Sequence, residues 1–229
     1  TGDGYRFAKD AGLPVTPTRP SLIAIETVET WPFALSGLTL KNVRLWADVG
    51  KKKPWSEMGE LLFTHFGVSG PLALTASALF PEDFAGRAMT VDLKPALDAD
   101  TLDKRVQRDF AEMGRKRLGS VMDGLVPHAL GEALLPLVSL SPLTPVSSVN
   151  QAQRKALVAL LKAVPLTVKA LRGYNEAVVT RGGVDVKAVD PSTMAAKSAP
   201  GLYFAGEVLD VDAFTGGFNL QIAFSTGAL

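Results

Sequence analysis

The sequence predicts an α/β-class protein, α+β within this segment, in which a strand-rich block gives way to a helical block and then to a strand–turn–helix. Three observations carry this. Apolar and polar residues alternate at 38–41 and again at 89–93, the period of half-buried strands. After Asp100 the period lengthens, so that Leu102, Val106 and Phe110 share one helical face and Lys104, Arg105 and Arg108 another. Near the end, an apolar run closes on Gly206-Glu207, and Gly216-Gly217 open a further apolar helix.

Each element follows from local chemistry. Residues 5–11 read as a short helix ended by Gly12, after which Pro14, Pro17 and Pro20 force extended backbone into a strand at 21–27. In 38–45 the apolar phase slips at Asn42-Val43, as at a bulge in a curved sheet. A strand at 60–66 is punctuated by Gly67-Val68-Ser69-Gly70-Pro71, with Pro71 placed to begin a helix that reaches Phe80. Asp100 is the expected cap of the first helix of the helical block, and Asn150 that of a later one carrying Leu157, Leu160, Leu161 and Val164. Helical patterning also covers 130–138. Strand signals return at 166–168 and at 176–180, the latter joined through a Gly182-Gly183 turn to 184–186 as a hairpin.

Composition limits function. A chain of 229 residues that is 47% hydrophobic is folded, with enough material for one large core or two modest ones. Lys+Arg 24 against Asp+Glu 23 leaves a formal charge of +1, so no global field draws nucleic acid or a membrane surface, and neither is expected as a partner. Cysteine is absent, and His65 and His128 are too few for an ordinary zinc site, so no metal is expected. No charged start leads into an apolar run, and no apolar run approaches about 18 residues, which fits a cytoplasmic protein. Thr1-Gly2-Asp3-Gly4-Tyr5 lacks Met and reads as a turn entering a helix, which implies a natural chain that begins upstream.

The candidate chemistry lies in Gly201-Leu202-Tyr203-Phe204-Ala205-Gly206-Glu207 and Thr215-Gly216-Gly217-Phe218-Asn219-Leu220-Gln221. A carboxylate can accept from a sugar hydroxyl, and a neighbouring glycine lets a ligand approach the backbone. A glycine-opened helix aims free amides at a ligand and favours negative charge by up to ~2 kcal/mol, or roughly 1.5 pKa units. That matters to a reduced isoalloxazine, whose charge gathers at N1 and the C2 carbonyl. The same residues also describe a strand–loop–helix without a ligand.

Residues 201–212 with 215–223 resemble the C-terminal signature of the YhiN/BaiN flavoproteins, which include aminoacetone oxidase. Thr1-Gly2-Asp3-Gly4-Tyr5 is similar to the end of that family's Gly-Ser-Thr-Gly-Asp-Gly-Tyr run. Residues 59–71, from Gly-Glu-Leu-Leu-Phe-Thr-His-Phe to Gly-Val-Ser-Gly-Pro, resemble its middle motif, and 177–184 with Thr193-Met194 a further one. The resemblance implies a two-dinucleotide-binding FAD domain, here partial (1–14 and 171–229), interrupted by a strand-rich, barrel-like insertion (15–98 and 165–170) that carries a helical subdomain (99–164). It implies an FAD-dependent oxidoreductase of a small organic substrate, linked to NAD(P)H or oxygen. Gly206, Glu207, Thr215, Gly216, Gly217, Phe218, Asn219, Leu220, Gln221 and Asp3 would then meet the cofactor. The family's opening Gly-x-Gly-x-x-Gly turn is absent from these residues, so this segment alone is expected to hold FAD weakly or not at all. The rival expectation is a non-catalytic macromolecule-binding module with a vestigial flavin site.

No catalytic acid or base stands out. His65 is expected to pack or cap rather than exchange protons, and His128 to start a helix or lie in a loop. Trp31, Trp46 and Trp55 read as core or rim residues. Asp210 and Asp212 either close the flavin pocket or stabilise their own loop. The cluster Arg105, Arg108, Arg115, Lys116 and Arg117 is interspersed with Asp100, Asp103, Asp109 and Glu112, the pattern of a solvated helix face, and 51–53 reads as an exposed loop.

Overall fold

A computed structural model describes residues 2–229, so Thr1 of the expected opening turn lies outside the described residues. The chain forms two compact units, one from the residues up to Ala24 together with Leu171–Leu229, the other from Ile25–Ala170.

The continuous unit is a closed six-stranded barrel with helices. In chain order its strands are β2 (Ile25–Thr27), β3 (Thr39–Ala47), β4 (Trp55–Thr64), β5 (Gly67–Ser69), β6 (Ala88–Asp92) and β7 (Val164–Leu171), arranged β2-β5-β4-β3-β6-β7. The expected phase slip in β3 is real. Register shifts between Leu40 and Val43, where Asn42 has φ 56°, and the bulge keeps Leu40 on the buried face with Val43, Leu45 and Ala47. The expected strand at 60–66 begins earlier, at Trp55, and turns at His65-Phe66 into β5.

Glu29 fastens one seam of the barrel. Its carboxylate accepts from the Thr167 N–H at 2.7 Å and from the Thr167 hydroxyl at 2.8 Å, while the Val28 N–H donates to the Thr167 carbonyl at 2.9 Å. Helix α2 (Gly70–Leu79), with Pro71 in its first turn as expected, buries six of its ten residues. Gly59 of β4 makes room for it, since a Cβ there would stand 3.2 Å from the Leu72 side chain.

Between β6 and β7 the chain inserts α3 (Ala99–Glu112), α4 (Leu118–Met122), α5 (His128–Leu134) and α6 (Gln151–Lys162). Asp98, not Asp100, caps α3, accepting from the Thr101 N–H at 2.7 Å; Asp100 lies in the first turn. That hydrogen bond lowers the Asp98 carboxyl below its ordinary range. Asn150 caps α6 in a full capping box with Gln153. Arg154 of α6 pairs with Asp103 of α3 at 2.8 Å. At the end of α6, the Lys162 ammonium meets Asp92 at 2.6 Å and donates to the Lys94 and Leu97 carbonyls, which fixes the insertion to β6.

The discontinuous unit holds α1 (Asp3–Asp10), β1 (Val15–Ser21), β8 (Val179–Val184) and α7 (Phe218–Gly227) around Ala8, Leu13, Val184, Met194, Phe204 and Leu209. Three expectations change here. The strand expected at 21–27 is two strands, because Leu22 takes a left-handed φ of 52°. Residues 15–21 pair with 179–184 as β1 and β8 within the discontinuous unit. The hairpin expected across Gly182-Gly183 does not form, because both glycines lie inside β8, antiparallel to β1. A Cβ on Gly182 would fall 2.3 Å from the Pro17 oxygen and one on Gly183 2.4 Å from the Val208 oxygen, so these glycines serve close backbone approach, not a turn. The strand expected at 201–207 shrinks to an isolated bridge between Tyr203 and Ala195.

Among the described residues, no helix is long and apolar enough to cross a membrane, and no cluster of His, Cys, Asp or Glu could hold a metal ion.

Two stability predictions follow from this packing. Gly183→Ala is expected to cost about 3 kcal/mol in urea denaturation, from the clash plus the strain of its φ of 136°, against about 1 kcal/mol for Gly12→Ala, whose φ of 76° is also positive but lies nearer the left-handed helical region and faces open space. Equal costs would contradict the close-approach role. Lys162→Met is expected to cost about 3 kcal/mol by leaving Asp92 buried without its cation, and adding Asp92→Asn should recover part of that loss.

Candidate functional site

The nominated residues lie on two turns of the discontinuous unit. Gly206, at φ 75°, starts the 3-10 turn Gly206–Val208 and packs on Ala223 of α7. Its N–H donates to the Thr226 hydroxyl at 2.9 Å, and that hydroxyl donates to the Ile222 carbonyl at 2.8 Å. The turn is thereby fastened to the flank of α7.

Glu207 follows. One oxygen of its carboxylate accepts from the Thr180 N–H of β8 at 2.8 Å, and the other has no partner among the described residues. The Tyr5 hydroxyl reaches the Glu207 carbonyl at 3.5 Å, and burial, followed by the Glu207 charge, raises the phenol above its ordinary range. Gly4 brings α1 against this turn, because a Cβ there would meet the Val208 side chain at 2.8 Å. Asp3, the residue before Gly4, pairs with Arg6 at 3.1 Å on an exposed surface.

The second turn opens α7. Gly216 (φ 113°) and Gly217 (φ 88°) take conformations that favour glycine, and no side chain caps the helix. Its first amides therefore keep their donor capacity for a ligand or water. Asn219 is committed locally, accepting from the Ala213 N–H and donating to the Ala213 carbonyl, both at 2.8 Å. Gln221 donates to the Ser225 hydroxyl at 3.0 Å. Among the described residues, Thr215, Phe218 and Leu220 make no such side-chain bond, and Phe218, Leu220 and Phe224 are 58%, 65% and 73% exposed on a helix with no buried residue. An apolar cavity of about 210 Å³ lies near the far end of α7, lined by Val189, Met194, Leu209, Val211, Ile222 and Thr226 and by none of the nominated residues.

These features fit a flavin in kind: an acidic oxygen left open, uncapped helix amides between two turns that favour glycine, and exposed apolar side chains beside them. Thr180 and Thr226 were missed in the sequence, where no local signal marks a threonine whose partner is set by the fold. Asp212 accepts from Ser21 at 3.5 Å and pairs with Arg181 at 3.4 Å, and the Asp210 N–H donates to the Val184 carbonyl. Both aspartates thus tie their loop to the β1–β8 ribbon.

The two histidines stand elsewhere. His65 is exposed at the β4–β5 turn, edge-on to Phe66 at 4.9 Å. His128 hydrogen-bonds Asp123 at 2.8 Å, and its other ring nitrogen is 3.6 Å from Glu132. Both arginines of α3 are ion-paired along the helix, Arg105 to Asp109 and Arg108 to Asp109 and Glu112.

Residues 19–179 match the family model described as HI0933-like protein barrel and H2TH domain. The chain is 30% identical over 231 residues to a 3-dehydro-bile acid delta(4,6)-reductase of Clostridium scindens, covering 100% of this chain and 56% of that protein. It is 33% identical over 225 residues to a ribosomal RNA dihydrouridine synthase of Haemophilus influenzae (97% and 53%), and 32% identical over 229 residues to one of Escherichia coli (97% and 54%). The chain spans about half the length of the curated relatives it matches.

The hydrogen bond that His128 donates to Asp123, together with the Asp123 charge, raises His128 above the ordinary imidazole value of 6.5. The pair's contribution to stability is therefore complete below pH 6.5 and fades as pH rises through the folded value. An NMR titration should place His128 above the unfolded value and Asp123→Asn should bring it back; an unshifted wild-type curve would refute the pairing.

Proposed function

The chain belongs to the HI0933-like family, and on that premise we propose that it forms the Glu207 and α7 side of the flavin site in an FAD-dependent reductase of ring carbon–carbon double bonds conjugated to a carbonyl. The relatives' names support the reaction class. A delta(4,6)-reductase of a 3-dehydro steroid and a dihydrouridine synthase both denote addition of two hydrogens across such a bond. The observation that carries the reading for this chain is the uncapped, glycine-opened start of α7 beside the Gly206-Glu207 turn.

In this reading the open oxygen of Glu207 accepts from a hydroxyl of the cofactor's sugar or ribityl chain, while Thr180 holds the carboxylate in place. Gly216 and Gly217 allow close backbone approach, and the amides of Phe218, Asn219 and Leu220 face developing negative charge. Asn219 holds the preceding loop, so that these donors are set before a ligand arrives. Phe218 and Leu220 supply apolar cover. A reduced flavin held there would supply the hydride for such an addition, with a proton completing it. A helix end worth up to ~2 kcal/mol would raise a two-electron potential by about 40 mV.

Absorbance spectroscopy of the natural gene product tests this. Flavin bands that bleach with dithionite are expected. Glu207→Ala should lower flavin content several-fold, and Glu207→Gln, which keeps an acceptor for Thr180, should lower it less. A colourless protein that takes up no added FAD would instead favour a binding module.

A further inference from the structure

Three elements meet at the Gly206–Val208 turn. β8 holds the Glu207 carboxylate through the Thr180 N–H at 2.8 Å, α7 holds the Gly206 N–H through the Thr226 hydroxyl at 2.9 Å, and α1 arrives with Gly4 and Tyr5. Core packing accounts for only part of what α1 does. Ala8 is its buried residue, whereas Tyr5 is half-buried and brings its polar end to the turn.

Gly4 sets the distance. A Cβ there would stand 2.8 Å from Cγ2 and 3.7 Å from Cβ of Val208, and a β-branched side chain cannot swing aside cheaply. With α1 this close, the Tyr5 hydroxyl donates to the Glu207 carbonyl at 3.5 Å, a long bond of modest strength. The phenol also feels the carboxylate. Burial first, the Glu207 charge second and Tyr174 third hold Tyr5 above the ordinary phenol range, with the Thr180 side chain opposing them. A phenol that stays protonated offers the turn a donor and no competing charge. Glu207 is thereby held at both ends, its carboxylate by Thr180 and its main chain by Tyr5. Ordering a glutamate only when a ligand arrives weakens binding, and holding it beforehand removes that cost.

We propose that Tyr5 is a positioning residue of the cofactor site: with Gly4 setting its approach, it fixes the main chain of Glu207 so that the open carboxylate oxygen is in place before a sugar hydroxyl reaches it. This rests on the flavin reading above and adds to it a residue that acts through Glu207.

A double-mutant cycle on the natural gene product tests it. Each protein is stripped of flavin and titrated with FAD by fluorescence quenching, and the thermal unfolding of each apoprotein is followed alongside. Tyr5→Phe keeps the ring and removes only the hydroxyl. It is expected to raise the FAD dissociation constant about threefold in the wild-type background, within the range of one hydrogen bond, and to leave it unchanged in Glu207→Ala. The unfolding temperature should move little in either background. Gly4→Ala should also weaken FAD binding, and adding Val208→Ala, which vacates the Cγ2 position, should restore part of it. A Tyr5→Phe loss of equal size in both backgrounds means that the phenol acts without Glu207, and overturns the proposal. Unchanged affinity in Tyr5→Phe while Glu207→Ala binds weakly overturns it too, and leaves the flavin reading standing. If Glu207→Ala binds FAD as the wild type does, or no variant takes up FAD, the reading and the proposal fail together.

Discussion

The candidate site depends on one steric permission: backbone can lie directly against both glycines of β8. The Pro17 carbonyl occupies the space of a side chain on Gly182, and the Val208 carbonyl that of one on Gly183. Because these approaches are allowed, the 206–211 segment lies along β8. There Val184 bridges Leu209 in parallel, the Asp210 N–H finds the Val184 carbonyl, and the Thr180 N–H finds the carboxylate of Glu207. A carboxylate on a free loop would sample many orientations; here one of its oxygens is fixed by a strand amide and the other left open. The turn is fastened from its other flank by Thr226, so the acidic residue and the glycine-opened helix belong to one hydrogen-bonded assembly.

The barrel unit solves a different problem. A small closed sheet needs every strand amide paired, and the Glu29 carboxylate accepts from the Thr167 amide in place of a backbone carbonyl. The helical insertion then interrupts the barrel between β6 and β7 without loosening it. The residues flanking the insertion are joined by Lys162, whose three contacts tie the end of α6 to Asp92, Lys94 and Leu97.

Local signals in the sequence were read well where the energy is local. Pro71 opening α2, Asn150 capping α6 and the phase slip at Asn42-Val43 each act within a few residues, and each appears as expected. Asp98 displaced Asp100 as the cap of α3 because capping depends on where the first turn begins, and two aspartates two residues apart compete for that place. In the site, the glycine-opened start of α7 was legible for the same local reason. The Thr180 amide, the Thr226 hydroxyl and the commitment of Asn219 to its own loop were not.

The sequence by itself determined the succession of strand-rich, helical and strand–turn–helix segments, the absence of thiol chemistry, and the motifs that mark the family. Only the tertiary structure decided that Gly182-Gly183 is a place of contact and not a turn, that 21–27 divides at Leu22, and that β1 pairs with β8 across more than 150 residues of sequence. A glycine satisfies a tight turn and a close backbone approach equally well. Which one it serves depends on a partner segment that is distant in sequence, and local periodicity carries no information about that partner.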